Sequence, residues 1–209
     1  ITTTGTTTGG TYGINAYNKS TGTDLTINAA TTTGGRHGIY AKNESTGALS
    51  ITTTGKTTGG TGHGIYAYNA GSGGTSITVA STGSIVTSAD GRHGIYNKSS
   101  GTAAKLNEIT VAGSIKTAGK GAHGIYNNGN NNKTILAAGG SIVTTGDSAY
   151  SIYDKGTGNT TTLAGGVQTE GKDAYGIYRK DISNTGGFKA TGSVTTKGVG
   201  AYGIYNVGN

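Results

Sequence analysis

The chain has 209 residues, 42 of them glycine, with one phenylalanine and no proline, cysteine, methionine or tryptophan. Without cysteine there is no disulfide framework, thiol nucleophile or zinc-thiolate centre, and a pool rich in Gly and β-branched Thr disfavours helix. Sixteen Lys and Arg against nine Asp and Glu leave a net charge of +7, which suits an acidic partner surface.

The first predicted element is the Thr-rich stretch Thr2 to Thr8, followed by Tyr12-Gly13-Ile14, the first copy of a motif that returns eight times. Its isoleucines are Ile14, Ile39, Ile65, Ile95, Ile125, Ile152, Ile177 and Ile204, at intervals of 25, 26, 30, 30, 27, 25 and 27 residues. A fixed period of this size marks a solenoid, in which each unit buries its apolar face only against its neighbours. After each motif comes a Gly/Asn/Ser turn and a second strand: Leu25-Thr26-Ile27, Leu49-Ser50-Ile51, Ile77-Thr78-Val79, Ile109-Thr110-Val111 and Ile135-Leu136, then the weaker Leu163 and Phe188. A third strand, Gly-Ser-Ile/Val-x-Thr, centres on Ile85, Ile115, Ile142, Val167 and Val194; towards the N-terminus Thr2 to Thr8 and Thr52 to Thr58 take its place.

Three short strands per rung, and about seven to eight rungs of 25 to 30 residues, predict an all-β fold: a right-handed, single-stranded parallel β-helix formed by residues 1–209 as one repeat domain. Strict alternation about the motif isoleucine places positions two before and two after it inside. The former are Tyr12, His37, His63, His93, His123, Tyr150, Tyr175 and Tyr202. The latter are Ala16, Ala41, Ala67, Asn97, Asn127, Asp154, Arg179 and Asn206. An arginine is not expected in the core, so the strand is predicted to turn at Arg179. Asn18, Asn43, Asn69, Asn97 and Asn127 read as turn residues able to bond locally or stack in a ladder.

Odd offsets are predicted to face out. They give a stripe of Tyr40, Tyr66, Tyr96, Tyr126, Tyr153, Tyr178 and Tyr205, beside Lys42, Lys98, Lys155 and Lys180, with Arg36 and Arg92 three residues before the isoleucine. The residue before the isoleucine, glycine in seven rungs and Ser151 in the eighth, is expected to leave a shallow groove along the rings. Cross-strand aromatic pairing accounts for such a stripe by itself; an adhesive aromatic and basic surface is the functional reading, and the two are compatible. For the four histidines the alternatives are a neutral hydrogen-bonded ladder, a metal site and a pH response, the first being favoured because Tyr replaces His freely and no Asp or Cys joins the row. Of the nine acids, Asp147, Asp173, Asp154 and Arg179 are expected near one edge as an ion-pair cluster rather than a catalytic centre. The Thr tracts occur in only some rungs, which fits strand propensity better than an ice-binding face. No metal or cofactor is expected, nor nucleic acid, since the lysines are spread and no nucleic-acid fold is recognised.

Repeats such as Gly121-Ala122-His123-Gly124-Ile125-Tyr126-Asn127 and Thr75-Ser76-Ile77-Thr78-Val79-Ala80-Ser81-Thr82-Gly83-Ser84-Ile85 resemble those of bacterial autotransporter passenger domains. The His-Gly-Ile-Tyr phrasing is most similar to autotransporters of Bartonella, including vasculoproliferative members. That resemblance implies a secreted or surface-exposed virulence factor, exported through an outer-membrane β-barrel outside this chain. It also implies a fragment of a longer passenger, which the missing initiator Met and the opening inside a strand pattern suggest as well. The function expected is that of a non-enzymatic adhesin or host-receptor ligand, growth-factor-like if the vasculoproliferative likeness holds, engaging a host receptor, matrix protein or acidic glycan. The Tyr/Lys face and the excursion from Asn97 to Glu108 are the expected contact regions. A polysaccharide lyase or hydrolase and a passive stalk are the alternatives.

Overall fold

A computed structural model describes residues 1–99, 105, 107–180 and 186–207. All regular structure among them is β-strand: 24 short strands in three eight-stranded sheets. Within each sheet every neighbouring pair is parallel and joins equivalent strands of successive rungs. The chain visits the motif sheet, the second sheet and the third sheet in turn, about eight times, as the repeat predicts.

Register stacks like on like. Ile39 pairs with Ile65, Ile65 with Ile95 and Ile95 with Ile125; Ile77 lies between Ile51 and Ile109, and Ile115 between Ile85 and Ile142. Three columns of branched aliphatics therefore fill the interior, nearly all without solvent contact. Each such side chain contributes roughly 1.5–3 kcal/mol by burial. The first and last rungs each have a neighbour on one side only, and the last is the more open, with Ile204 46% exposed against 5% for Ile14. The polar outer positions leave the second and third sheets one solvated face each, and β-branched residues suit such half-buried strands.

Several expectations about individual residues change. The Thr tracts divide between two sheets: Thr2–Thr3 and the end of Leu49–Thr53 lie in the second, Thr7–Gly9 and Lys56–Gly59 in the third. Ile135 faces outward, and Thr134 takes the inner place that Ile109 holds one rung earlier. Its hydroxyl accepts a bond from Asn127 Nδ2 at 2.8 Å, so a polar residue suits that interior. Asn97 and Asn127 are not surface turn residues; both are fully buried within strands. Arg179 is buried too, with 4% of its surface accessible, because the strand Ile177–Lys180 continues past it in register with Asp154. A carboxylate opposite and the Asn159 carbonyl, which accepts from Nη2 at 2.8 Å, make that burial tolerable.

The corner between third sheet and motif sheet sets the orientation of the motif. In the later rungs the buried Thr that ends the third strand donates from its hydroxyl to a carbonyl five residues on: Thr87 to Arg92, Thr117 to Ala122, Thr144 to Ala149 and Thr169 to Ala174, at 2.5–3.0 Å. Within that loop the residue four before the isoleucine is left-handed, as Gly91, Gly121 and Gly200 but also as Ser148 and Asp173.

Candidate functional site

The corner breaks the strict alternation. A Cβ built on Gly94 would meet Ile115 Cγ2 at 2.4 Å and the Gly124 carbonyl oxygen at 2.7 Å, and Gly13, Gly38, Gly64, Gly124 and Gly176 are equally confined. These glycines thus face inward, against the third strand and the next rung. The expected groove is absent; close packing, not an open surface, requires glycine here. Ser151 is the one substitution, fully buried, in the rung whose third strand carries Val167 in place of isoleucine.

Because chain direction changes at that glycine, the residue two before the isoleucine leaves the aliphatic core and packs against the Tyr stripe; the four histidines nevertheless stay buried, as alternation predicts, with 4–8% of their surface accessible. Its rings touch those of the stripe: His63 and Tyr96 centroids are 5.0 Å apart, His93 and Tyr126 5.0 Å, Tyr150 and Tyr178 5.1 Å. Two parallel columns result. One runs Tyr12, His37, His63, His93, His123, Tyr150, Tyr175 and Tyr202, with successive centroids 4.7–5.7 Å apart. The other runs from Tyr40 through Tyr66, Tyr96, Tyr126, Tyr153 and Tyr178 to Tyr205, at 4.7–5.5 Å. All seven tyrosines of the expected stripe are brought together. The second column is what sequence reasoning missed, although free exchange of His for Tyr at one position signals packing among rings rather than an aliphatic core.

The histidines form a defined ladder. Imidazole Nδ1 of His37 accepts from the His63 backbone N–H at 2.9 Å, His63 from His93 at 2.9 Å, His93 from His123 at 3.1 Å and His123 from Tyr150 at 3.0 Å. An accepting Nδ1 places the proton on Nε2 and keeps the ring neutral. Burial, helped by neighbouring imidazoles and by Arg36 and Arg92, lowers His37 to about 4, His63 to about 2, His93 to about 3 and His123 to about 4. Burial, followed by neighbouring phenols, pushes Tyr126 and Tyr150 up to about 12, so their hydroxyls remain donors at neutral pH. Among the described residues no group of three or more His, Asp and Glu is placed to hold a metal.

On one flank, three residues past the isoleucine, stand Tyr17, Lys42, Tyr68, Lys98, Asn128, Lys155 and Lys180. Lys42 Nζ lies 2.5 Å from Glu44 and 5.0 Å from the Tyr17 ring centroid; Lys98 Nζ is 5.6 Å from the Tyr68 ring. On the other flank Arg36 and Arg92 are exposed, Arg36 Nη1 reaching the Tyr12 hydroxyl at 3.4 Å. Much of the excursion from Asn97 to Glu108 lies outside the described residues, as does Asp181.

Among the described residues the acids do not gather. Asp154 is buried, its carboxylate accepting from Asn127 Nδ2 at 2.7 Å and Thr161 Oγ1 at 2.6 Å, whereas Asp147 is exposed and accepts from the Lys172 backbone N–H at 2.8 Å. The cluster expected of Asp147, Asp173, Asp154 and Arg179 is therefore split between interior and exterior corner. Compared with known proteins, the chain matches no protein family, no curated protein and no solved structure.

Proposed function

We propose that this chain is a non-enzymatic binding rod of the autotransporter-passenger kind, secreted or displayed on a bacterial surface, whose motif face engages a host receptor, matrix protein or acidic glycan. The observation that carries this reading is the two-column belt of rings, continuous from Tyr40 to Tyr205, with lysines on one flank at four rungs and arginines on the other at two. Rungs about 4.8 Å apart make such a face a long, stiff, evenly patterned surface, suited to an extended partner. Tyrosine adds rigid contact area with a polar tip.

Ring geometry refines the contact chemistry. Pairs such as Tyr126–Tyr153 and Tyr40–Tyr66 stack at interplanar angles of 5° and 11°, so their faces cover one another and their edges and hydroxyls meet solvent. Binding then depends on phenol hydroxyls and neighbouring cations more than on ring faces. The test is adhesion of the purified chain to host cells and matrix proteins, against a Tyr66→Phe/Tyr96→Phe/Tyr126→Phe variant that keeps the stack. Adhesion that falls about tenfold in the variant supports the reading, a change of roughly 1.4 kcal/mol. No adhesion by the parent chain favours a passive stalk. Cleavage of a polysaccharide would support the enzymatic alternative instead.

A further inference from the structure

Beside the belt, two shallow depressions adjoin along the rod axis and share Asn128: one is lined by Tyr68 and Lys98, the other by Asn130, Lys155 and Lys180. Asn128, Lys155 and Lys180 occupy one column in consecutive strands, so two ammonium-bearing side chains stand directly opposite each other across the sheet. Like charges in that relation destabilise a sheet unless an anion offsets them. Three lysines elsewhere do have one: Lys42 has Glu44, Lys133 has Glu108 at 2.9 Å and Lys197 has Glu170 at 3.3 Å. Among the described residues no carboxylate pairs with Lys98, Lys155 or Lys180, and Asp181 lies outside them.

We infer that this trough binds an acidic polysaccharide laid along the rod, one anionic group on Lys98 and others on the Lys155–Lys180 pair. The inference rests on the adhesive reading above and names its ligand class. Lys98 is two rungs from Lys155 and three from Lys180, about 10 and 14 Å, the scale of two to three linked sugars. Between the cations the side chains of Asn128 and Asn130 offer amides over a floor that is largely apolar, formed in part by Gly129 and Gly156. Asn130 directs its side-chain oxygen to the Thr157 N–H at 2.9 Å and keeps its amino group as a donor; Asn128 donates to the Tyr96 hydroxyl at 3.1 Å and keeps its oxygen as an acceptor. Sugar hydroxyls match that set. Nucleic acid fits less well, because single strands bind by stacking bases on exposed ring faces, and pairs such as Tyr126–Tyr153, stacked at 5°, cover each other's faces.

Heparin octasaccharide is the probe, titrated calorimetrically at low salt against the parent chain, a Lys98→Gln/Lys155→Gln/Lys180→Gln variant and a Lys56→Gln/Lys116→Gln control on the third sheet. Circular dichroism confirms that each variant folds. The expected result is about a tenfold or greater weakening in the triple variant, with a shallower salt dependence, and little change in the control. A hyaluronan arm separates carboxylate from sulfate recognition, and binding of either supports the trough. Equal weakening in the control, equal affinity for neutral dextran, or an oligothymidylate of matched charge binding as tightly as heparin would overturn it. Cell adhesion measured in parallel separates the two ideas. Adhesion unchanged in a triple variant, with the parent chain not binding either glycan, sinks the trough alone; heparin binding without any adhesion sinks the adhesive reading alone.

Discussion

The rungs led by Ile14, Ile39 and Ile65 and those from Ile95 onward share three sheets but solve the interior differently. Early motif strands are long, Tyr12–Asn18 and His37–Asn43, with Ala two after the isoleucine and Asn four after it. There Asn18, Asn43 and Asn69 link rung to rung through Nδ2–Oδ1 bonds at 2.8 and 3.1 Å and brace the turn that follows, Asn43 onto the Gly47 carbonyl at 2.9 Å. Later motif strands are short, such as Ile95–Asn97, and the amide ladder moves two positions earlier. Asn97 reaches Asn132 at 3.0 Å, Asn132 reaches Asn159 at 3.1 Å, and Asn127 reaches Asp154. The backbone stack is indifferent to the change, even though both side-chain polar atoms of the buried Asn107 lack a hydrogen-bond partner among the described residues. Residues lost from the motif strand reappear in the longer third corner with its left-handed turn.

Acid provides the largest perturbation with which to break this comparison. A histidine whose folded value is lowered contributes stability that is complete above the unfolded value near 6.5 and lost as pH falls below it towards 4 and lower. Each pH unit in that window removes at most about 1.4 kcal/mol per histidine. Between pH 7.5 and 5, hydrogen-exchange protection factors, corrected for the intrinsic slowing of exchange in acid, are expected to fall first at the amides of His63, His93, His123 and Tyr150, which the imidazoles hold, and later in rungs where Tyr replaces His. Uniform exchange along the rod would show that the ladder does not govern acid stability.

Next in size is the buried charge of the later rungs. Asp154→Ala leaves Arg179 buried opposite an apolar residue and is expected to cost about 3–5 kcal/mol in urea unfolding. The double variant Asp154→Ala/Arg179→Ala should cost less than the two single changes added, which a double-mutant cycle reads directly. Truncations that simply add would mean the two charges are independent.

The motif glycine is common to both regions, so Gly38→Ala and Gly94→Ala should be alike, each costing roughly 1–3 kcal/mol by overpacking. Thermal unfolding checks this, and a harmless Gly94→Ala would contradict the inward orientation. The smallest effect is a gain confined to the later corner: Ser148→Gly and Asp173→Gly relieve φ values of 51° and 52° and should each stabilise by about 0.5–1 kcal/mol. A loss at Asp173 instead would mean its carboxylate contributes more than the strain costs.

Much of this was legible in one dimension. Eight isoleucines at near-constant spacing, with Ile85, Ile115, Ile142, Val167 and Val194 each ten residues before the next, suffice for rungs, sheets and the Tyr column. Alternation failed where a corner intervened. The rule that sends alternate residues to opposite faces holds along an extended strand, and the chain bends at Gly94 and its equivalents; His93 therefore packs among the rings of the Tyr stripe, still buried, and the glycine packs against the aliphatic core. The burial of Arg179 was hidden for another reason, since its partners Asp154 and Asn159 come from an earlier rung and only register brings them together.

Periodicity alone determined that equal positions stack, because identical apolar residues at a fixed interval find burial only in columns. The folded molecule decided which way each side chain points around the corners, which polar groups are satisfied in the interior, and which lysines meet a carboxylate among the described residues. Those outcomes depend on where the backbone turns and on what the neighbouring rung offers across about 4.8 Å, a distance that bears no relation to separation along the chain.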